Sequence, residues 1–127
     1  MVGILIVAHG AFGEALIHCA GHVMGKRPPQ VLQLGVTIHD DPEAILPQAK
    51  ELVKLLDEGD GVLVFSDILG ATPSNIATRL LEPGRVEGIS GVNLPMLIRA
   101  LTYREEALAS VAEKAISGGV AGVVHLN

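Results

Sequence analysis

The opening stretch constrains the fold more than any other part of the chain. Val2, Gly3, Ile4, Leu5, Ile6, Val7 and Ala8 form an apolar run that ends at His9 and Gly10. A strand without polar alternation is covered on both faces. A glycine and a helical apolar pattern follow at once, so the stretch reads as the first strand and turn of an α/β domain. In such domains ligands sit outside the carboxyl ends of the strands. His9 therefore stands at the mouth of the expected site. Imidazole is suited to shuttle protons, bind metal or carry a phosphoryl group near neutral pH.

The same alternation runs to the end of the chain. Phe12, Ala15, Leu16, Cys19, Ala20, Val23 and Met24 fall at helical spacing and predict an apolar stripe. Val31 to Leu34 predicts a short strand. Asp41-Pro42 predicts an N-cap and first helical residue, followed by a stripe through Ile45, Leu46, Ala49, Leu52, Val53 and Leu56. Val62 to Phe65 is a buried strand, and Thr72-Pro73 repeats the cap-and-proline signal for a helix reaching about Leu81. A strand near Val86 to Ile89, a short helix after Leu94-Pro95 and a longer helix through Leu108, Val111, Ala115 and Ile116 follow. Ser117-Gly118-Gly119 then predicts a turn into a last strand, Val120 to Leu126. The expected fold is a mostly parallel sheet with helices on both faces. The last strand is an edge, either ordinary or given to a partner chain.

Composition narrows the function. The 127 residues suit one domain, residues 1–127, with no linker or repeat. A net charge of −5 without a basic cluster argues against nucleic acid, whose binding rests on phosphate neutralisation. Aromatic residues make up only 2%, which leaves almost no stacking platform for bases. No apolar run approaches the roughly 20 residues of a membrane span, and the first strand lacks the basic flank of a secretory signal. A soluble cytoplasmic protein is expected. The single Cys19 fits a reducing compartment.

Two strand ends carry chemistry. The first reads Ala8-His9-Gly10-Ala11-Phe12-Gly13 and the other Ser66-Asp67-Ile68-Leu69-Gly70-Ala71-Thr72-Pro73-Ser74-Asn75. In a parallel sheet both lie on one rim. Asp67 is placed to accept a hydrogen bond from Nδ1–H of His9, which fixes the tautomer and leaves Nε2 as nucleophile. Backbone N–H groups of Gly70, Ala71 and Thr72, with the Thr72 hydroxyl, would suit a phosphoryl group. Taken singly these features are ordinary: a histidine after a strand, an aspartate in a turn, a well-formed helix start. Their conjunction on one rim carries the functional reading.

At this point the residues resemble a known family. His9-Gly10, the segment Asp67 to Asn75, and Gly91-Val92-Asn93-Leu94-Pro95-Met96-Leu97 are similar in order and spacing to the mannose-type IIA components of the bacterial phosphoenolpyruvate:sugar phosphotransferase system. The resemblance runs nearly the whole chain. It implies a phosphotransferase role with a phosphohistidine at His9, support from Asp67, and a phosphoryl cradle at Gly10, Gly70, Ala71 and Thr72. It implies HPr as donor, a IIB component as acceptor and a membrane permease reached only indirectly. It implies a homodimer whose last strand, antiparallel at the sheet edge, is exchanged. Phe12, Asn93, Pro95 and Met96 are expected to face partners. No cofactor and no metal are expected.

The chain departs from the family in two places. Gly70-Ala71-Thr72-Pro73 stands where Gly-Gly-Ser-Pro is frequent, and the Cβ of Ala71 disfavours a positive φ. No IIB domain follows Asn127, so the acceptor is expected on a separate chain. Alternatives are a free-standing regulatory IIA whose phosphorylation state acts as a switch, and a chelatase-like metal-binding protein, which would want a second histidine on another strand end.

The remaining polar candidates have ordinary readings. His18 and His22 share a helix face without a third ligand, His39 reads as a turn residue and His125 as structural. Arg79, Arg99 and Arg104 are either phosphate clamps or surface and helix-end charges. Cys19, on the apolar stripe, is expected to pack.

Overall fold

The computed structural model describes every residue from Met1 to Asn127. Strands β1 (Gly3–His9), β2 (Val31–Val36), β3 (Val62–Ser66) and β4 (Val86–Ser90) form one parallel sheet in the order β2-β1-β3-β4. Helices α1 (Phe12–Met24), α2 (Pro42–Leu56), α3 (Thr72–Thr78), α4 (Leu94–Tyr103) and α5 (Leu108–Ala121) complete the chain.

The apolar run of β1 is explained by two cores. Ile4, Ile6 and Ala8 point to one face and pack with Leu63, Phe65, Ile17, Leu97 and Val111 from β3, α1, α4 and α5. Leu5 and Val7 point to the other and pack with Val64, Leu46, Ala49, Ile76 and Leu80 from β3, α2 and the α3 segment. A strand buried on both faces has no polar alternation to show.

The strand order places the site. The chain leaves β1 toward β2 through α1, then returns past β1 to β3 through α2, on the opposite face. The direction therefore reverses between β1 and β3, and their carboxyl ends flank the crevice where such sheets bind ligands. Val7 pairs with Ser66, so His9 and Asp67 leave the sheet side by side.

Three expectations about elements need correction. In α1 the inward face is Gly13, Ile17 and Ala20, whereas Phe12, Ala15, Cys19, Val23 and Met24 are exposed. Gly13 turns that face inward because it permits close approach: a Cβ there would meet Gln33 Cβ and Ile6 Cγ2 at 3.1 and 3.2 Å. Second, α3 is shorter than expected, ending at Thr78, and its N-cap is Ala71 rather than Thr72.

The third correction concerns the expected last strand. Ser117, Gly118 and Gly119 do not turn the chain; α5 runs through them to Ala121, and no strand follows. These glycines serve helix contact. Added Cβ atoms would lie 2.6 Å from Arg99 Cβ and 2.7 Å from Met96 Cε on α4. Val123, Val124 and Leu126 beyond the helix are exposed. A strand needs a hydrogen-bonding neighbour, and the tail pairs with no strand of its own chain.

Candidate functional site

Gly10 closes β1 with φ +51°, a value that favours glycine, and its N–H reaches Val36 O at 2.9 Å. This turn leaves the backbone N–H of His9 outside the ladder. That N–H donates to Asp67 Oδ2 at 3.0 Å, and His9 Nδ1 lies 2.7 Å from the same oxygen. Asp67 Oδ1 accepts the N–H of Ile68 at 3.0 Å. The carboxylate is thus held at both oxygens, with its side chain 12% exposed.

Burial works to raise the pKa of Asp67. The His9 backbone N–H, the His9 ring and the aspartate's own backbone outweigh it, and the pKa lies below the ordinary aspartate value. An ionised carboxylate accepts only, so the shared proton sits on Nδ1, and Nε2 is the nitrogen left for chemistry. The His9 side chain is 52% exposed, which leaves that nitrogen accessible from solvent.

The second strand end turns through Ile68, Leu69 and Gly70 into α3. Gly70 takes φ +87°, and Ala71 takes φ −102° with ψ 171°. The positive φ therefore falls on the glycine, and the Cβ of Ala71 meets no strain. The Gly70 N–H donates to Ser74 Oγ at 3.0 Å and is not free to bind a phosphoryl group. Ala71 and Thr72 N–H find no acceptor in the chain. Of the four residues expected to form the cradle, Gly10 and Gly70 have their N–H groups occupied by Val36 O and Ser74 Oγ, which leaves those of Ala71 and Thr72.

The third segment reaches the same rim. Ser66 Oγ donates to Ser90 Oγ at 3.0 Å, and Ser66 O accepts from Gly91 and Val92 N–H at 3.0 Å each. Asn93 caps α4, accepting from Met96 N–H at 2.9 Å, and its amide donates to Gly119 O at 3.1 Å. Asn93 thus joins α4 to α5, and Met96 is buried in the core. Pro95 and Phe12 are exposed.

Exposed apolar side chains on the rim lie elsewhere. Ile38 after β2 is 93% exposed, and Ile68 and Leu69 after β3 are exposed as well. Their signal was branched apolar residues lying between a strand end and a helix cap, where burial has no use for them.

The arginines do other work. Arg79 pairs with Glu43 through contacts of 2.5 and 3.4 Å. Arg104 is buried at the amino ends of β1 and β2, where it binds the carbonyls of Val2, Pro29 and Gln30. Arg99 lies against Gly118. His18, His22, His39 and His125 are all exposed. No group of three or more His, Cys, Asp or Glu side chains is gathered as for a metal ion.

Fold and site define a class: a parallel α/β domain that displays a carboxylate-backed histidine on an open rim at its topological switch point. The family model described as PTS system fructose IIA component matches residues 3–116, and the chain belongs to that family. It is 29% identical over 106 residues to the PTS system fructose-specific EIIA component of Bacillus subtilis, covering 83% of this chain and 72% of the relative. It has the same identity to the PTS system mannose-specific EIIAB component of Escherichia coli K12, covering 83% of this chain but only 32% of that protein. The crystal structure of phosphotransferase system component EIIA from Streptococcus agalactiae superposes with a TM-score of 0.87 at 25% identity, covering 98% of this chain and 97% of that one. No helix is long and apolar enough to cross a membrane.

Proposed function

We propose that His9 is a phosphoryl carrier: it accepts a phosphoryl group from phospho-HPr and passes it to a IIB component, in the cytoplasm, in service of sugar uptake. The His9–Asp67 pair carries this reading. The Nε2 lone pair attacks phosphorus in line, and the P–N bond to the donor histidine breaks as the P–Nε2 bond forms. The donor ring leaves as neutral imidazole. Its positive charge appears on the His9 ring, whose Nδ1–H stays on the Asp67 carboxylate, so no proton need be exchanged with solvent. The N–H groups of Ala71 and Thr72 are the donors available to the phosphoryl oxygens.

An exposed ring on an open rim suits a donor that is itself a protein. Phe12, Ile38, Ile68 and Leu69 offer apolar surface at three strand ends for such a partner. Addition of a dianionic group among them would change which partner docks.

The same reading includes a homodimer with exchanged tails. The outer edge of β4 has no neighbouring strand. Beside it runs a groove of about 650 Å³ lined by Ile89, Ser90, Met96, Ile116, Val120 and Val123. The exposed tail of a second copy supplies an apolar segment that could pair there, an exchange of identical elements.

The test is incubation with phosphoenolpyruvate, enzyme I and HPr, followed by intact mass and peptide mapping. An acid-labile phosphoryl group on His9 that requires HPr, and is absent in His9→Ala, is the expected result. No label with active controls, or label persisting in His9→Ala, overturns the assignment.

A further inference from the structure

We infer that Ser74 is a positioning residue for this transfer, its hydroxyl holding the Gly70–Ala71 turn in the shape that presents the Ala71 and Thr72 N–H groups to the site. The inference rests on His9 being the phosphoryl acceptor.

Ala71 sits at the N-cap of α3 and has no side-chain oxygen with which to cap. Ser74 is three residues further on and 4% exposed. Its Oγ accepts the Gly70 N–H at 3.0 Å and donates to Ala71 O at 3.2 Å. One hydroxyl thereby grips the N–H that enters the turn and the carbonyl that leaves it. The backbone angles between those groups, at Gly70 and Ala71, are fixed from the buried side.

The direction of these bonds separates Ser74 from an ordinary cap. A cap side chain accepts N–H groups of the helix's own first turn. Ser74 instead accepts from Gly70, outside the helix, and so orders the loop that follows Asp67. It also removes one N–H from competition for the ligand. Gly70 holds φ +87°, and a Cβ there would meet nothing within 4 Å. The turn is therefore not wedged in place by neighbours. Its order depends on the glycine's backbone freedom and on the Ser74 hydroxyl.

Without that hydroxyl the turn samples other conformations in the free protein and must be ordered again as the phosphoryl group arrives. Fixing a residue's backbone costs about 1–2 kcal/mol, which corresponds to roughly tenfold in rate. The loss belongs to the bound transition state and not to docking, because Ser74 is buried and offers a docking partner no surface.

The experiment compares wild type, Ser74→Ala, Ser74→Thr, Gly70→Ala and the Ser74→Ala/Gly70→Ala double variant. Steady-state transfer from phospho-HPr and thermal midpoints are measured for each. Ser74→Ala should lower kcat about tenfold with KM changed less than about twofold. Ser74→Thr, which keeps the hydroxyl, should recover most of the loss. Gly70→Ala strains the same turn through its positive φ, with no neighbour for the Cβ to strike, so the double variant should lose less than the product of the single effects. A folded Ser74→Ala with wild-type kcat, or strictly multiplicative losses in the double variant, overturns the inference. Failure of the wild-type chain to take label overturns the carrier reading itself, and this inference with it.

Discussion

His9 Nδ1 and Asp67 Oδ2 lie 2.7 Å apart although 58 residues separate them in the chain. Sheet order brings them together: β1 and β3 are neighbours, and both residues leave at the carboxyl ends of their strands. The contact is doubled, because the backbone N–H of His9 reaches the same oxygen. A carboxylate fixed in this way orients the ring, and in the proposed carrier role it would balance the charge that phosphoryl transfer places there.

Asp67→Asn keeps the shape and removes the charge. Hydrogen bonds to charged groups contribute about 1.5–3 kcal/mol, so transfer to His9 should slow by roughly 10- to 100-fold. Single-turnover transfer from phospho-HPr, with circular dichroism as a check on folding, measures this. A variant with wild-type transfer would show that the carboxylate does not support the ring's chemistry.

The same aspartate predicts an acid response. Its pKa is lower in the folded chain than the ordinary 3.8. A carboxyl of this kind stabilises the fold while ionised. The contribution is present above the ordinary value and is lost as pH falls through the lower folded value. In urea titrations from about pH 6 to about pH 3 the stability gap between wild type and Asp67→Asn should narrow toward the acid end. A gap that stays constant would mean that the carboxylate's ionisation is not linked to folding.

Much of this was legible in the sequence, because strands buried on both faces and Asp-Pro or Thr-Pro helix starts announce themselves locally. The pairing of His9 with Asp67 followed from placing two strand ends on one rim. The misreadings in α1 and at the end of α5 share one cause. Gly13, Gly118 and Gly119 looked like breaks or neutral positions, yet each is a place where another element comes close. That is a tertiary fact with no local signature. The predicted α1 stripe is accordingly right at Leu16 and Ala20, which pack inward, and wrong at Phe12 and Cys19, which turn outward. Arg104 is similar: nothing near it in sequence marks the three distant carbonyls it gathers.

Gly35 is a silent support of the site. It lies opposite Ala8 in β2, and a Cβ on it would run into the carbonyl oxygen of Gly10. Backbone cannot yield as a side chain does, so Gly35→Ala should displace the His9–Gly10 turn. A stability loss of about 1–3 kcal/mol is expected, together with slower phosphoryl transfer and a shifted His9 Nδ1–H resonance. Wild-type stability with an unmoved resonance would show that the turn adapts without cost.

Arg104 should behave in the opposite way. Its guanidinium donates to Val2 O, Pro29 O and Gln30 O at the end of the sheet remote from His9. Arg104→Met fills similar space and leaves those carbonyls without their donor. A loss of about 3 kcal/mol in urea unfolding is expected, with transfer by the folded fraction unchanged. Loss of transfer at full stability would place Arg104 in the site's working and contradict its structural role.

The tail is the test of the proposed dimer. β4 ends the sheet with an open edge, and exposed strand edges are sites of pairing between chains. Val123, Val124 and Leu126 are exposed and have no use within one chain. If the tail of each copy covers the β4 groove of the other, deletion of residues 122–127 should convert a dimer into a monomer. The His9–Asp67 pair would be left intact, since both lie in β1 and just after β3. Sedimentation velocity of the full and shortened chains, alongside phosphoryl transfer by each, separates the outcomes. A shortened chain that remains dimeric would move the interface away from the β4 edge. A full chain that is monomeric at micromolar concentration would remove the exchange altogether and leave the rim around His9 as the surface on which partners meet.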